Sequence, residues 1–320
     1  MFDIDAGHKF VRRIPSGGVD AATGKPLNVK GICADAPSAR LYISTIKTLM
    51  ALDLITEKLL WERSYPNGCD RMALSPDGKT IYLPSLEKEN WYIVEAATGD
   101  VLTTIEPKSR SHNTLFGPDG QECYLAGLGS PLLTVADAHK HAVLRTVGPF
   151  AAPIRPFTID ARQERVYVNI NELLGFEIGD LRTGEKLARV EVSGFQKGAV
   201  RAHGCPSHGI GLTPDETEIW VTDAHNRRMH LFDSKVFPPK QLESIELRDE
   251  PGWITFSLDG RFAWPSTGDV IDVKTRKILT TLTDEAGRGV QSEKMLEIDF
   301  RGTQPASVGN QFGIGRNAAR

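Results

Sequence analysis

Chemically capable side chains recur along this 320-residue chain at a regular interval. Lys30, Asp70, His112, Arg155, His208 and Gly252 are separated by steps of 40, 42, 43, 53 and 44 residues, and Lys294 extends the series. Cys69, Arg71, Asn113, Trp253 and Glu293 stand directly beside them. Gathering so many polar groups costs free energy unless they are paired or bind something. The imidazoles of His112 and His208, with His203 in the same HGCPSH stretch, suit a divalent metal. They equally suit general acid–base work, with Asp70 or Glu293 orienting a histidine or joining a metal set. Lys30, Arg71 and Arg155 are candidate anchors for a carboxylate. Asn113, Trp253 and His225 complete the ligand-binding candidates. The catalytic candidates are therefore His112, His208, Asp70 and Glu293, and the metal-ligand candidates are His112, His208 and His203. Two reactions fit this set: proton abstraction beside a carbonyl, giving elimination or isomerisation, and lactone hydrolysis.

The elements that must position these residues are short strands. Each of the first six positions precedes an apolar strand, a tight turn and a second strand. The copies are GICADAPSARLYIS, RMALSPDGKTIYLP, NTLFGPDGQECYLA, PFTIDARQERVYVN, GIGLTPDETEIWVT and WITFSLDGRFAWPS. A third strand ending near an acid, a Gly- or Lys-bearing turn and a fourth strand follow, as in WYIVEAATGDVLTTIEP. The alternation has period two and the turn residues favour tight reversal. A step of 40 to 53 residues is that of four-stranded propeller blades. The fold class expected is all-β: a seven-bladed β-propeller spanning residues 1–320 as one domain. Its inner strands bring the column of polar residues to one mouth of a central channel, a concave place suited to a ligand.

The seventh blade is expected from both ends of the chain, residues 1–14 and 292–314. FDIDAGHKFVRRIP matches third and fourth strands, and SEKMLEIDF matches a first strand. Pairing residues 2–14 with 292–300 would close the ring and remove exposed sheet edges. The missing second strand is expected from GNQFGIG or from chain upstream of Met1, since a start in mid-blade looks truncated.

SPDGKTIYLP and TPDETEIWVTD, with the TGK and TGD turns between such copies, resemble the YVTN-type repeats of bacterial seven-bladed propellers. That superfamily also holds lactonase-like and quinoprotein amine dehydrogenase-like propellers. The resemblance covers essentially the whole chain and is specific for architecture, because propellers host many unrelated activities. The Trp-Asp signature of WD40 blades is not what these copies show. Streptogramin lyases place His and Glu from different blades at the channel mouth, which implies a location here and no residue roles.

A longer insertion, Ser193 to Pro206, precedes His208 and could fold over the channel as a lid, with Gly194, Gly198 and Gly204 as hinges. Loops between second and third strands add Lys47, Glu89, Asn171, Glu172, Asp223, His225 and Arg227 at the same face. His8, His139, His141 and His230 fall on turns or outer strands and are expected at the surface. The four cysteines, Cys33, Cys69, Cys123 and Cys205, form no CxxC pair and are expected as free thiols.

A net charge of −3 gives no electrostatic case for nucleic acid. No apolar run reaches the roughly 18 residues of a membrane span. The chain as it stands, without a leader at Met1, reads as cytoplasmic; a leader upstream would make it periplasmic. The function expected is binding of a small anionic molecule, with a divalent metal as candidate cofactor, by a monomer acting as a lyase, isomerase or lactone hydrolase. The alternative is a non-catalytic sensory or protein-interaction scaffold. It would need an apolar patch at the mouth, where the loops offer few such residues beyond Trp91, Phe195 and Trp253.

Overall fold

The turns show why the repeats fold alike. In the Ser-Pro-Asp-Gly copy, Ser75 Oγ donates to Asp77 Oδ1 at 2.6 Å and accepts from the Thr80 amide at 2.9 Å. Thr213 with Asp215, and Ser257 with Asp259, repeat the arrangement at 2.6 and 2.7 Å. The position after the aspartate pair needs a left-handed residue, supplied by Gly78, Gly120 and Gly260 at φ between 71° and 75°. The acids that end the third strands make the second recurring turn. Asp53, Asp137 and Asp180 each accept two following backbone amides through one carboxylate oxygen.

The computed structural model describes residues 1–14, 23–24 and 27–312, and among them it is all-β. Six antiparallel four-stranded meanders follow one another. The first is Val29–Asp35, Arg40–Thr45, Thr48–Asp53 and Leu59–Ser64, and the second Ala73–Leu74, Thr80–Pro84, Trp91–Glu95 and Val101–Ile105. The third is Ser111–Phe116, Glu122–Gly127, Leu133–Asp137 and Ala142–Val147, and the fourth Ile154–Ile159, Arg165–Ile170, Gly175–Asp180 and Lys186–Glu191. The fifth is Ile210–Leu212, Glu218–Asp223, Arg228–Asp233 and Lys240–Glu246. The sixth is Ile254–Phe256, Phe262–Pro265, Asp269–Asp272 and Lys277–Thr281. First strands of successive sheets touch in order from the first to the sixth, as the inner strands around a propeller axis do. This architecture is compatible with a β-propeller.

Apolar clusters fill the spaces between sheets. Tyr42, Leu49, Met72, Ile81 and Val94 join the first two, and Trp220, Met229, Leu231, Phe256 and Ile271 join the fifth and sixth. Each large side chain removed from water contributes about 1.5–3 kcal/mol. Strand faces on both sides of a sheet are thus buried, and this overturns two surface expectations. His230 is fully buried, its Nδ1 2.7 Å from Ser244 Oγ and its Nε2 3.0 Å from Asp223 Oδ2. His8 is buried edge-on against Phe262, 4.7 Å between centroids. All four cysteines are free and buried.

Between the sixth and first sheets lie two hairpins, Phe2–Asp3 with Lys9–Phe10 and Ile298–Arg301 with Gln304–Val308. Phe2 and Ile4 pack with Val290 and Met295 on Trp264, Val270 and Leu282 of the sixth sheet, while Ile14 packs on Ile43 and Met50 of the first. No strand ladder joins the two hairpins among the described residues. The strand pairing with Ile298–Arg301 is Gln304–Val308, whereas Gly309–Phe312 runs into the axis; residues 313–315 of the GNQFGIG stretch lie outside the described residues.

Candidate functional site at the axial mouth

Glu293 is the centre of the polar column. Its Oε2 is paired with Arg71 and lies 2.8 Å from Lys294 Nζ. Its Oε1 lies 2.5 Å from His203 Nε2 as an ion pair, with no further hydrogen-bond partner. Burial opposes ionisation of Glu293, but Arg71, His203, His208 and Lys294 override it and hold the carboxyl well below the usual range. Burial and then the neighbouring Arg71 push Lys294 down to about 8, with Glu293 pulling the other way.

His208 stacks on His203, 4.0 Å between centroids and 23° between planes. Its Nδ1 is 2.8 Å from the Gly252 carbonyl, which can only accept, so Nδ1 carries the hydrogen and Nε2 keeps its lone pair. Burial, followed by His203 and Arg71, holds His208 well below its ordinary pKa, so it is neutral. One donor atom each from His203, His208 and Glu293 lies within 4.8 Å of the others, and this is the one such group found among the described residues. Gly252 leaves the space open: a Cβ there would fall 2.5 Å from both Glu293 Oε1 and His203 Nε2.

His203 is carried by the insertion. The fifth sheet pins that segment through Asn226 Nδ2 donating to the Gln196 carbonyl, and His225 Nδ1 lies 2.9 Å from the Ala199 carbonyl. Arg201 pairs with Asp249 and Glu250. His225, an expected ligand contact, therefore sits exposed against the strap.

His112 lies with Asp70 and outside the His203–His208–Glu293 group. Its Nδ1 is 2.7 Å from Asp70 Oδ2, while Asp70 Oδ1 accepts from the Arg71 amide at 3.0 Å. The sequence column treats His112 and His208 as equivalents, but they open the third and fifth sheets, and Asp70 of the neighbouring second sheet claims His112. Arg71 reaches across the axis and rests 4.0 Å over the Trp253 ring, leaving Nη1 without a partner. Asn113 is fully buried with neither side-chain polar atom partnered. Arg155 donates through Nε to Asn171 Oδ1 at 2.6 Å. Lys30 is partly exposed and close enough to Lys294 to disfavour its charge. A cavity of about 450 Å³ borders Glu293 and Lys294, lined also by Asn28, Val29, Ile32, Ser292 and Gln291.

The role of Gln311 and Phe312 escapes sequence reasoning. Trp253 Nε1 donates to the Gln311 carbonyl at 2.5 Å, and Phe312 packs edge-on against the same ring. Neither residue lies in a repeat, so no periodic signal marks them. No protein-family model and no curated protein matches the chain.

Proposed function

We propose that this chain is a seven-bladed propeller of the YVTN-repeat kind, its seventh blade assembled from both ends. We further propose that its axial mouth binds a divalent metal of the zinc class together with a small anionic, oxygen-rich molecule. The observation that carries the reading is the donor set of His203, His208 and Glu293, one ligand atom from each within 4.8 Å of the others, opposite a glycine whose Cβ would fill the gap. Two imidazoles and one carboxylate are the donors of open zinc sites, which keep a position for water or substrate. His208 is oriented from behind by the Gly252 carbonyl, and Glu293 by Arg71 and Lys294, as outer-shell partners of metal ligands are.

When bound, such a metal polarises a carbonyl or lowers the pKa of water. The remaining groups supply the rest. Lys30, Lys294 and Arg155 offer positive charge to a carboxylate. Asp70 fixes the His112 ring through Nδ1, leaving Nε2 as the atom to take or give a proton. This division of labour suits elimination, isomerisation or lactone opening beside a carboxylate.

The test is zinc titration of the wild-type protein and of Gly252→Ala, which keeps every donor. Wild type is expected to bind one equivalent and to gain about 2.7 kcal/mol of stability at a hundredfold excess over Kd. In Gly252→Ala that gain should be lost while the metal-free melting temperature holds. Equal zinc stabilisation in both proteins would refute the site.

A further inference from the structure

Glu293 can present Oε1 to the histidines because Arg71 holds Oε2. The guanidinium is fixed in turn by the Trp253 ring beneath it, 4.0 Å away. Trp253 is held by a stretch that belongs to no sheet. Its Nε1 donates to the Gln311 carbonyl at 2.5 Å, and that carbonyl also accepts from Thr255 Oγ1 at 3.4 Å. Phe312 meets the Trp253 ring edge-on, with centroids 5.4 Å apart and planes at 62°. Gln311 Nε2 donates to the Met72 carbonyl at 3.4 Å, the residue directly after Arg71. Both Gln311 and Phe312 are buried, and Phe312 packs in a cluster with Leu115, Ile154 and Phe157 of the third and fourth sheets. Gly309–Phe312 therefore grips both ends of the Arg71–Trp253 contact, which spans the axis.

We infer that Gln311 and Phe312 are positioning residues for the axial site. They fix the plane of Trp253, Trp253 fixes the guanidinium of Arg71, and Arg71 fixes the Glu293 rotamer that turns Oε1 toward His203 and His208. The claim rests on the metal reading above for its consequence, but the contacts it invokes are independent of any ion. A simple plug would also bury Phe312 and contribute to stability. It would not couple Phe312 to the geometry of Arg71, because the two side chains are separated by a whole indole.

Full-length Phe312→Ala and Phe312→Leu distinguish these. Both remove the aromatic edge and both should lower the metal-free melting temperature, with Leu preserving the packing that keeps Trp253 in place. Zinc affinity by calorimetry is expected to fall roughly tenfold in Phe312→Ala and to stay within roughly threefold in Phe312→Leu, the scale of losses when outer-shell partners are removed. In parallel, the Arg71 Nε–Hε signal in a ¹H–¹⁵N spectrum, assigned by its loss in Arg71→Lys, should carry the ring-current shift of Trp253 and lose it in Phe312→Ala. Should Phe312→Ala fail to fold, Phe312→Val, which keeps part of the packed volume and removes the aromatic edge, is expected to shift the same signal while Trp253 itself is unchanged. A Phe312→Ala protein with unchanged zinc affinity and unchanged Arg71 signal, or an unshifted Phe312→Val in its place, overturns the inference. If wild type binds no zinc, the metal reading fails, and the Arg71 signal alone decides whether Phe312 positions that side chain.

Discussion

Replacing Lys294 by Met should stabilise the metal-free protein at neutral pH, although it breaks an ion pair with Glu293. Burial first, then the neighbouring Arg71 and Lys30, lowers the pKa of the ammonium from 10.5 to about 8 against the pull of Glu293. At about 1.4 kcal/mol per tenfold change in proton affinity, holding Lys294 charged costs the folded state about 3 kcal/mol. Below pH 8 both states are protonated and the whole cost is present. Between 8 and 10.5 the folded protein sheds its proton before the unfolded chain does, so wild-type stability climbs with pH and the advantage of the variant shrinks. Urea unfolding of both proteins at pH 7, 9 and 10.5 measures this. The variant is expected to lead by about 2–3 kcal/mol at the lowest pH and by little at the highest. A less stable variant at pH 7, or a gap that does not change with pH, would refute the picture of a site with surplus positive charge. An anion that occupies the cavity beside Lys294 should narrow the gap at pH 7, which makes the same pair of proteins a screen for the ligand.

The thiols should be inert in the folded protein: burial lifts Cys69 to about 12 and Cys205 to about 11, so iodoacetamide at pH 8 should label no site natively and four sites in urea. Native labelling of any cysteine within minutes would contradict their burial. Deleting Met1–Arg13 takes Phe2 and Ile4 from Trp264, Val270 and Leu282 and should cost about 2–5 kcal/mol. An unchanged melting temperature would show that the N-terminal hairpin does not complete the seventh position.

The six meanders were legible because each is written locally. Ser75-Pro-Asp-Gly and its relatives fix the turn, the acid at Asp53 or Asp137 fixes the next, and alternation between them fixes the strands. For the seventh position the sequence pointed to the two chain ends that supply it, but not to their forming two separate short hairpins, held by contacts such as Phe2 on Trp264 that no period announces. Register did mark His208, Arg71 and Glu293, which the fold brings into one cluster. What register could not supply was partnership. Asp70 takes His112, and Arg71 crosses the axis to Glu293; the insertion then delivers His203 to that carboxylate. His230 was misread because period-two alternation separates the two faces of a strand but does not say that both are covered when sheets pack on both sides.

A zinc-soaked crystal examined by anomalous scattering at the zinc edge tests the proposed site most directly. The expected map has one peak bonded to His203 Nε2, His208 Nε2 and Glu293 Oε1 at about 2.0–2.2 Å, with an open position for water or an anion. A map without a peak there, or with the ion held by His112 and Asp70 instead, would contradict the assignment of the metal to the strap and the seventh position.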